Sequence, residues 1–371
     1  MPAVPWKQTV RHVALRALAK LERRSPAAGP IENFLILQHP KALGTAIHAT
    51  PLIAALRRAS PQGRIFVAAS GVGYDALRNN PHIDALIAVT SPVNDARAGR
   101  RELAAVVRSF TRGMHGPWAT ITPSGSERTS IAVTALLAGA RNRIGFTLAP
   151  ELYTQASTFA PSRSLIANNL RIVAACGYPS VERAEPEIFF TTEDSEYASA
   201  LLAGRNSARP LIALVTQTSI TQRKSWRKER FVAAADALHA ATGAECVLVG
   251  TAAEYDAVEE IRGQLRAPSW NAAGRTDLQQ LAALLAQCDV GLTLDTGTLH
   301  VGRAVALPMA IIAPAWSPPL EWLPIDNPRF VILKNADMDA ATPEYIIDEV
   351  SVDEAVAAVL RLLEQWPRDP R

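Results

Sequence analysis

From residue 33 onward the apolar positions fall into two alternating kinds of segment. Short continuous apolar runs bounded by turn residues read as buried strands. Longer stretches with apolar residues every third or fourth position read as amphipathic helices. The runs NFLILQ (Asn33 to Gln38), RIFVAA (Arg64 to Ala69), DALIAV (Asp84 to Val89), WATITP (Trp118 to Pro123) and RIGF (Arg143 to Phe146) predict five strands. Helices are expected between them over 44–59, 71–79, 97–112 and 127–139. Residues 147–185 are less regular, with a helix expected at 162–176. The alternation restarts at PLIALVT (Pro210 to Thr216), followed by a helix at 227–242, the strand ECVLVG (Glu245 to Gly250) and helices at 252–265 and 277–287. Next come the strand DVGLTL (Asp289 to Leu294), a helix opening near 297 and ending before Pro308, the strands MAIIA (Met309 to Ala313) and FVIL (Phe330 to Leu333), and a last helix at 352–365.

Strands alternating with helices imply parallel sheets covered on both faces. Two such runs with a break near 180–209 predict an α/β chain of two Rossmann-like, doubly wound domains facing across a cleft. Their expected bounds are 31–185 and 186–350, with 351–371 a C-terminal helix. Ligands of such sheets bind beyond the carboxyl ends of the strands. The loops after the strands are therefore where chemistry is to be sought.

Ahead of this pattern lies a different segment. Trp6, Val10, Val13, Ala14, Ala17 and Leu21 recur at helical spacing over 6–24, and SPAAGP (Ser25 to Pro30) reads as a linker, so 1–30 forms a basic helix with its linker. Residues 1–24 carry a net +5, against +3 for the whole chain, which leaves −2 for the rest. A basic arm on a near-neutral body excludes a general nucleic-acid-binding protein. The arm suits either an anionic membrane surface or a docked helix with a solvated basic face. Cys176, Cys246 and Cys288 lie far apart without a CxxC pair, which argues against a zinc site or a disulfide framework. No apolar run reaches the roughly 18 residues of a membrane span, and no signal peptide is recognisable. The expected location is the cytoplasm, with peripheral contact at the inner face of its membrane.

Three loops carry candidate chemistry. In LDTGTLHVGRAVALP (Leu294 to Pro308), a buried strand ends and Asp295, Thr296 and Gly297 turn the chain into a helix. The free amides and dipole of a helix start suit a diphosphate, although Asp295 or Thr296 also serves as an ordinary N-cap. His300 lies one turn in, able to meet a ligand or to satisfy a buried contact. TQTSITQRKSWRKERF (Thr216 to Phe231) follows the first strand of the second run. Its hydroxyls at Thr216, Thr218, Ser219 and Thr221, with Arg223 and Lys224, suit phosphate oxygens; the alternative is a solvated basic loop. LQHPKALGTAIHATPLIAALRRASP (Leu37 to Pro61) follows the first strand and places His39, Lys41, Thr45 and His48 near the ligand edge, where each also fits a capping or surface role. There is no GxGxxG, so a nicotinamide cofactor is poorly supported.

Together these segments resemble glycosyltransferase family 9, the ADP-heptose:lipopolysaccharide heptosyltransferases. The segment from Leu37 is similar to that family's strand–loop–helix opening. The segment from Thr216 resembles its donor loop, with a lysine two residues before a tryptophan (Lys224, Trp226), and Asp295, Thr296, Gly297 and His300 match its Asp-Thr-Gly-x-x-His signature. AGRTDLQQLAALLAQCDV (Ala273 to Val290) matches the stretch leading into it. The resemblance covers residues 33–360. It implies a GT-B fold, inverting sugar transfer without a required metal or cofactor, an ADP-linked or related nucleotide-sugar donor in the C-terminal half and a glycan acceptor in the N-terminal half; the basic arm points to a lipid-linked glycan acceptor. It also implies that Lys224 neutralises the donor phosphates, that Thr296 and Gly297 offer amides to the diphosphate, and that Asp295 contacts the donor. Ser219 falls at a phosphate-contacting hydroxyl and Glu254 at the nucleotide ribose.

The chain departs from the family in ALGT (Ala42 to Thr45), where Thr45 stands at the place of the usual catalytic aspartate. A threonine is no base at neutral pH. Three explanations follow: His48 or His39 takes over the role, a carboxylate elsewhere does, or the chain binds a donor without efficient turnover.

Overall fold

The computed structural model describes residues 29–40, 42–218, 224–316, 319–335, 342 and 344–367. The basic segment 6–24, Lys41 and the loop residues Ser219, Thr221 and Arg223 lie outside the described residues. The chain divides into two compact units, Met1–Pro186 and Glu187–Arg371.

The first unit holds a six-stranded parallel sheet: β1 (Asn33–Gln38), β2 (Ile65–Ala69), β3 (Ala85–Ala88), β4 (Trp118–Thr122), β5 (Asn142–Phe146) and β6 (Gln155–Ser157), in the order β3-β2-β1-β4-β5-β6. The uninterrupted apolar run of β1 has a direct cause. Phe34 and Ile36 point into one core, with Leu52, Ile53, Ile65 and Val67. Leu35 and Leu37 point into another, with Leu103, Val106, Phe110 and Ile131. A central strand covered on both faces cannot alternate apolar with polar residues.

The second unit repeats the plan with β7 (Leu211–Val215), β8 (Glu245–Leu248), β9 (Ser269–Asn271), β10 (Val290–Leu294), β11 (Met309–Ile312) and β12 (Phe330–Leu333), in the order β12-β11-β10-β7-β8-β9. Its core joins Ile212, Leu214, Leu292 and Leu294 to Ala355, Val359 and Leu362 of the last helix, Val352–Gln365. That helix is thus part of this unit's core.

Among the described residues the structure adds short elements to those expected, including the 3-10 turn Pro150–Leu152. β6 and β9 are three-residue edge strands of mixed polarity, too short and too polar to stand out as apolar runs. The helix Thr192–Leu201 lies within the expected break. It buries only Ala198 and Leu201 and is marked instead by a capping box between Thr191 and Asp194. The short helix Pro319–Trp322 follows β11. The helix expected over 44–59 is two helices, α1 (Leu43–Ile47) and α2 (Thr50–Ala59). Pro51 has no N–H for the Ile47 carbonyl, and the Thr50 hydroxyl donates to that carbonyl at 2.8 Å. Among the described residues no helix is long and apolar enough to cross a membrane.

Candidate active site

In the second sheet β10 and β7 are neighbours. The strands beyond β10 run on to β11 and β12, and those beyond β7 to β8 and β9. This reversal is the topological switch point, where the loops after adjacent strands part and leave a crevice. Lys224 arrives from the loop after β7 and Asp295 from the end of β10. The Lys224 ammonium donates to Asp295 Oδ2 at 2.6 Å. Their side chains retain 14% and 4% of their exposure, so the pair is largely withdrawn from water. Lys224 Nζ also lies 5.4 Å from the ring centre of Trp316, within cation–π range.

Next to this pair the helix Gly297–Ala304 begins after Thr296. Thr296 is its N-cap residue, yet its hydroxyl makes no capping hydrogen bond, and Oγ1 is buried without a partner. Thr218, at the end of the β7 segment, likewise has a buried, unpartnered Oγ1. Buried hydroxyls are nearly always paired, because an unmade hydrogen bond in the interior costs about 1–3 kcal/mol. Two of them on the loops of adjacent strands, beside a cation and the unpaired amides of a helix start, fit the oxygens of a polyvalent anion. His300 sits one turn into the helix, 5% exposed, with its ring centre 6.1 Å from that of Trp322. Burial pushes its pKa down to about 4 against the opposing pull of the Asp295 carboxylate, so the ring is neutral at pH 7.

Glu254 lies beyond the end of β8. It closes a capping box with Thr251, whose amide donates to Glu254 Oε2 at 2.7 Å. Its carboxylate therefore has a local partner on the same edge of the sheet. Trp316 and Trp322 went unnoticed in the sequence; their one signal was their place after β11, on the ligand edge. Among the described residues no three or more His, Cys, Asp or Glu side chains gather as a metal site would require.

The first sheet has its own switch point between β1 and β4. His39 follows β1: its amide donates to Ser126 Oγ at 3.0 Å, and its Nδ1 is hydrogen-bonded to Ser70 Oγ at 2.9 Å. Burial lowers the His39 pKa to about 4. Thr45, in α1, is buried with its methyl against Gly125: a β-carbon built on Gly125 would fall 1.8 Å from Thr45 Cγ2. Gly125 also has φ +90°, a backbone state that other residues rarely adopt. Its amide donates to Glu127 Oε2 at 2.8 Å, and Ser124 Oγ donates to Glu127 Oε1 at 3.0 Å. His48, which closes α1, is 1% exposed, and its carbonyl accepts from Asn169 Nδ2 at 3.2 Å. A cavity of ≈ 420 Å³ opens at the ends of β2 and β3, lined by Ser70, Gly71, Tyr74, Asp75, Thr90 and Glu102 among others. Ser70 thus connects this cavity with His39.

The sequence profile described as glycosyltransferase family 9 (heptosyltransferase) matches residues 130–336, more than half of the 371 residues. The chain belongs to glycosyltransferase family 9. Within the family, it is 32% identical over 123 residues to lipopolysaccharide heptosyltransferase 2 of Salmonella typhimurium, a stretch that covers 31% of this chain and 35% of the relative. The match spans about a third of the length of this and a second such curated relative. Two solved structures share the fold over nearly the whole chain. A family 9 glycosyl transferase from Veillonella parvula has a TM-score of 0.78 at 20% identity, covering 92% of this chain and 100% of its own. The E. coli ADP-heptose lipopolysaccharide heptosyltransferase II has a TM-score of 0.72 at 18% identity, covering 90% and 99%. At such identities the likeness speaks for the fold, that of GT-B proteins with two Rossmann-like domains. The profile of family 9 includes Lys224, Asp295, Thr296, Gly297 and His300 and stops short of His39, Thr45 and Glu127.

Proposed function

We propose that this family 9 chain transfers a heptose or related sugar, with inversion, from a nucleotide-diphosphate donor to a lipopolysaccharide-core or similar cell-surface glycan acceptor, with ADP-heptose as the donor. The observation that carries this reading is the β7/β10 switch point. There the loops after two adjacent strands carry a Lys224–Asp295 ion pair, two buried unpartnered hydroxyls and a helix start. Lys224 meets the donor phosphates, the hydroxyls of Thr218 and Thr296 and the amides from Gly297 complete their hydrogen bonds, Asp295 contacts the donor from the end of β10, and His300 does so from the first turn of the helix that follows. Ser219 joins them from the loop after β7, and Glu254 meets the nucleotide ribose. The names of the relatives, which are lipopolysaccharide heptosyltransferases and an ADP-heptose enzyme, support the choice of donor.

Chemically, this arrangement answers the need of the departing group. Breaking the bond between the anomeric carbon and the diphosphate puts negative charge on the leaving oxygens, and preorganised donors lower that barrier. The acceptor is lipid-linked and is met at the inner face of the cytoplasmic membrane, where the basic segment 1–30 binds anionic lipid.

The test is ADP release from ADP-heptose with and without a lipopolysaccharide-core acceptor. Acceptor-dependent release is expected. A rise in melting temperature with ADP-heptose but no acceptor-dependent release would favour a sugar-nucleotide-binding protein that does not turn over, the alternative that Thr45 in the aspartate's place suggests.

A further inference from the structure

Sugar transfer to a hydroxyl needs a group that removes the hydroxyl's proton as the new bond forms. At the switch point of the first sheet, the loops after β1 and β4 present few described side chains able to accept one. His39 and His48 are buried, 7% and 1% exposed, and Thr45 is a threonine. Glu127 is the exception. It lies on the loop after β4 and stays partly open to solvent. Its carboxylate is held from two sides, by Gly125 N and Ser124 Oγ at 2.8 and 3.0 Å. Gly125, which gives one of those bonds, is also the residue on which the Thr45 methyl rests. A carboxylate is therefore fixed one residue away from the Thr45 side chain, although it comes from a different strand.

We propose that Glu127 is the general base of this glycosyltransferase, taking the proton of the acceptor hydroxyl. The assignment rests on the transfer reading above. The acceptor O–H bond breaks and its proton passes to a Glu127 carboxylate oxygen. The freed electron pair on the acceptor oxygen forms the bond to the anomeric carbon of the donor sugar. The bond from that carbon to the diphosphate oxygen breaks, and its electron pair leaves on the nucleoside diphosphate. The two hydrogen bonds fix the carboxylate's direction, so that little reorganisation accompanies proton transfer. One of its two lone pairs on each oxygen is occupied by these bonds, which leaves acceptor capacity on both.

The experiment compares wild type, Glu127→Gln and Glu127→Ala in acceptor-dependent ADP release, with ADP-induced melting shifts as a check on folding and donor binding. Both variants are expected to keep the ADP shift, which belongs to the second unit. They should lose about 100-fold or more in kcat, the scale of a lost general base, with the acceptor KM changed by less than about threefold. Added formate should restore part of the Glu127→Ala rate. A Glu127→Gln rate within about tenfold of wild type overturns the assignment. So does a raised KM with kcat kept and no rescue by formate, which would make Glu127 only a tie for the Ser124–Gly125 turn. If wild type itself releases no ADP on addition of acceptor, the transfer reading fails first, and the Glu127 variants then have no rate to lose.

Discussion

Replacing Lys224 by methionine keeps an aliphatic side chain of similar length and removes the charge beside Trp316. Asp295 is left 4% exposed and unpaired. Removing one partner of a fully buried ion pair costs about 3–5 kcal/mol, because the other charge stays desolvated. Lys224 keeps 14% exposure, so water partly reaches the pair, and a loss of about 2–3 kcal/mol is expected. Asp295→Asn should cost less, since the freed ammonium can turn to solvent. The double variant Lys224→Met/Asp295→Asn should recover to within about 1 kcal/mol of wild type, as coupled neighbours do. Binding behaves differently. A charge-assisted hydrogen bond to phosphate contributes about 1.5–3 kcal/mol, so Lys224→Met should weaken ADP about 10- to 100-fold, and the double variant should remain as weak. Stability can be followed by tryptophan fluorescence in urea, since five of the seven tryptophans (226, 270, 316, 322 and 366) lie in the second unit. Affinity can be followed by calorimetric titration with ADP. The reasoning is refuted if Lys224→Met binds ADP within about twofold of wild type, or if the double variant regains affinity together with stability. Either result would make the pair a purely structural strut.

Other expectations follow from the same geometry. Thr296→Val removes a buried, unpartnered hydroxyl without changing shape, so urea stability should be unchanged or up to about 1 kcal/mol higher while ADP binds about 5- to 10-fold more weakly; a stability loss above about 1 kcal/mol would mean that the hydroxyl is paired in the free protein. Gly125→Ala combines a φ of +90° with an overlap on Thr45 Cγ2 and should cost about 2–4 kcal/mol in the first unit. Adding Thr45→Ala should return the overlap part but leave the backbone part, which a double-mutant cycle in urea resolves. Burial holds His39 and His300 at a pKa of about 4 in the folded chain, below their unfolded value of 6.5. The unfolded chain therefore takes up these protons first, and the stability present above pH 6.5 falls as the pH drops toward 4, by up to about 3 kcal/mol per histidine. In urea titrations at stepped pH, His300→Gln should flatten this slope; an unchanged slope would show that His300 is solvated.

The α/β architecture and the loops that hold the Lys224–Asp295 pair are legible in the order of residues alone. Central parallel strands are buried on both faces, so β1, β7 and β10 had to be written as continuous apolar runs, and such runs are legible without coordinates. Because parallel sheets bind ligands at their carboxyl ends, the residues after those runs, Lys224 and Asp295 to His300 among them, could be singled out from local order alone. Edge strands such as β6 and β9 carry no such constraint and were invisible. The tertiary structure alone decided what meets what. Lys224 and Asp295 are 71 residues apart in the chain and become an ion pair only because β7 and β10 are neighbours. Trp316 joins them from a third segment, and Glu127 reaches the surroundings of Thr45 only because β4 pairs with β1. Periodicity reports which face of an element is buried; it holds no record of which strands lie side by side. That order is set by the packing of the whole sheet, and at both switch points it is the strand order that brings the candidate chemistry together.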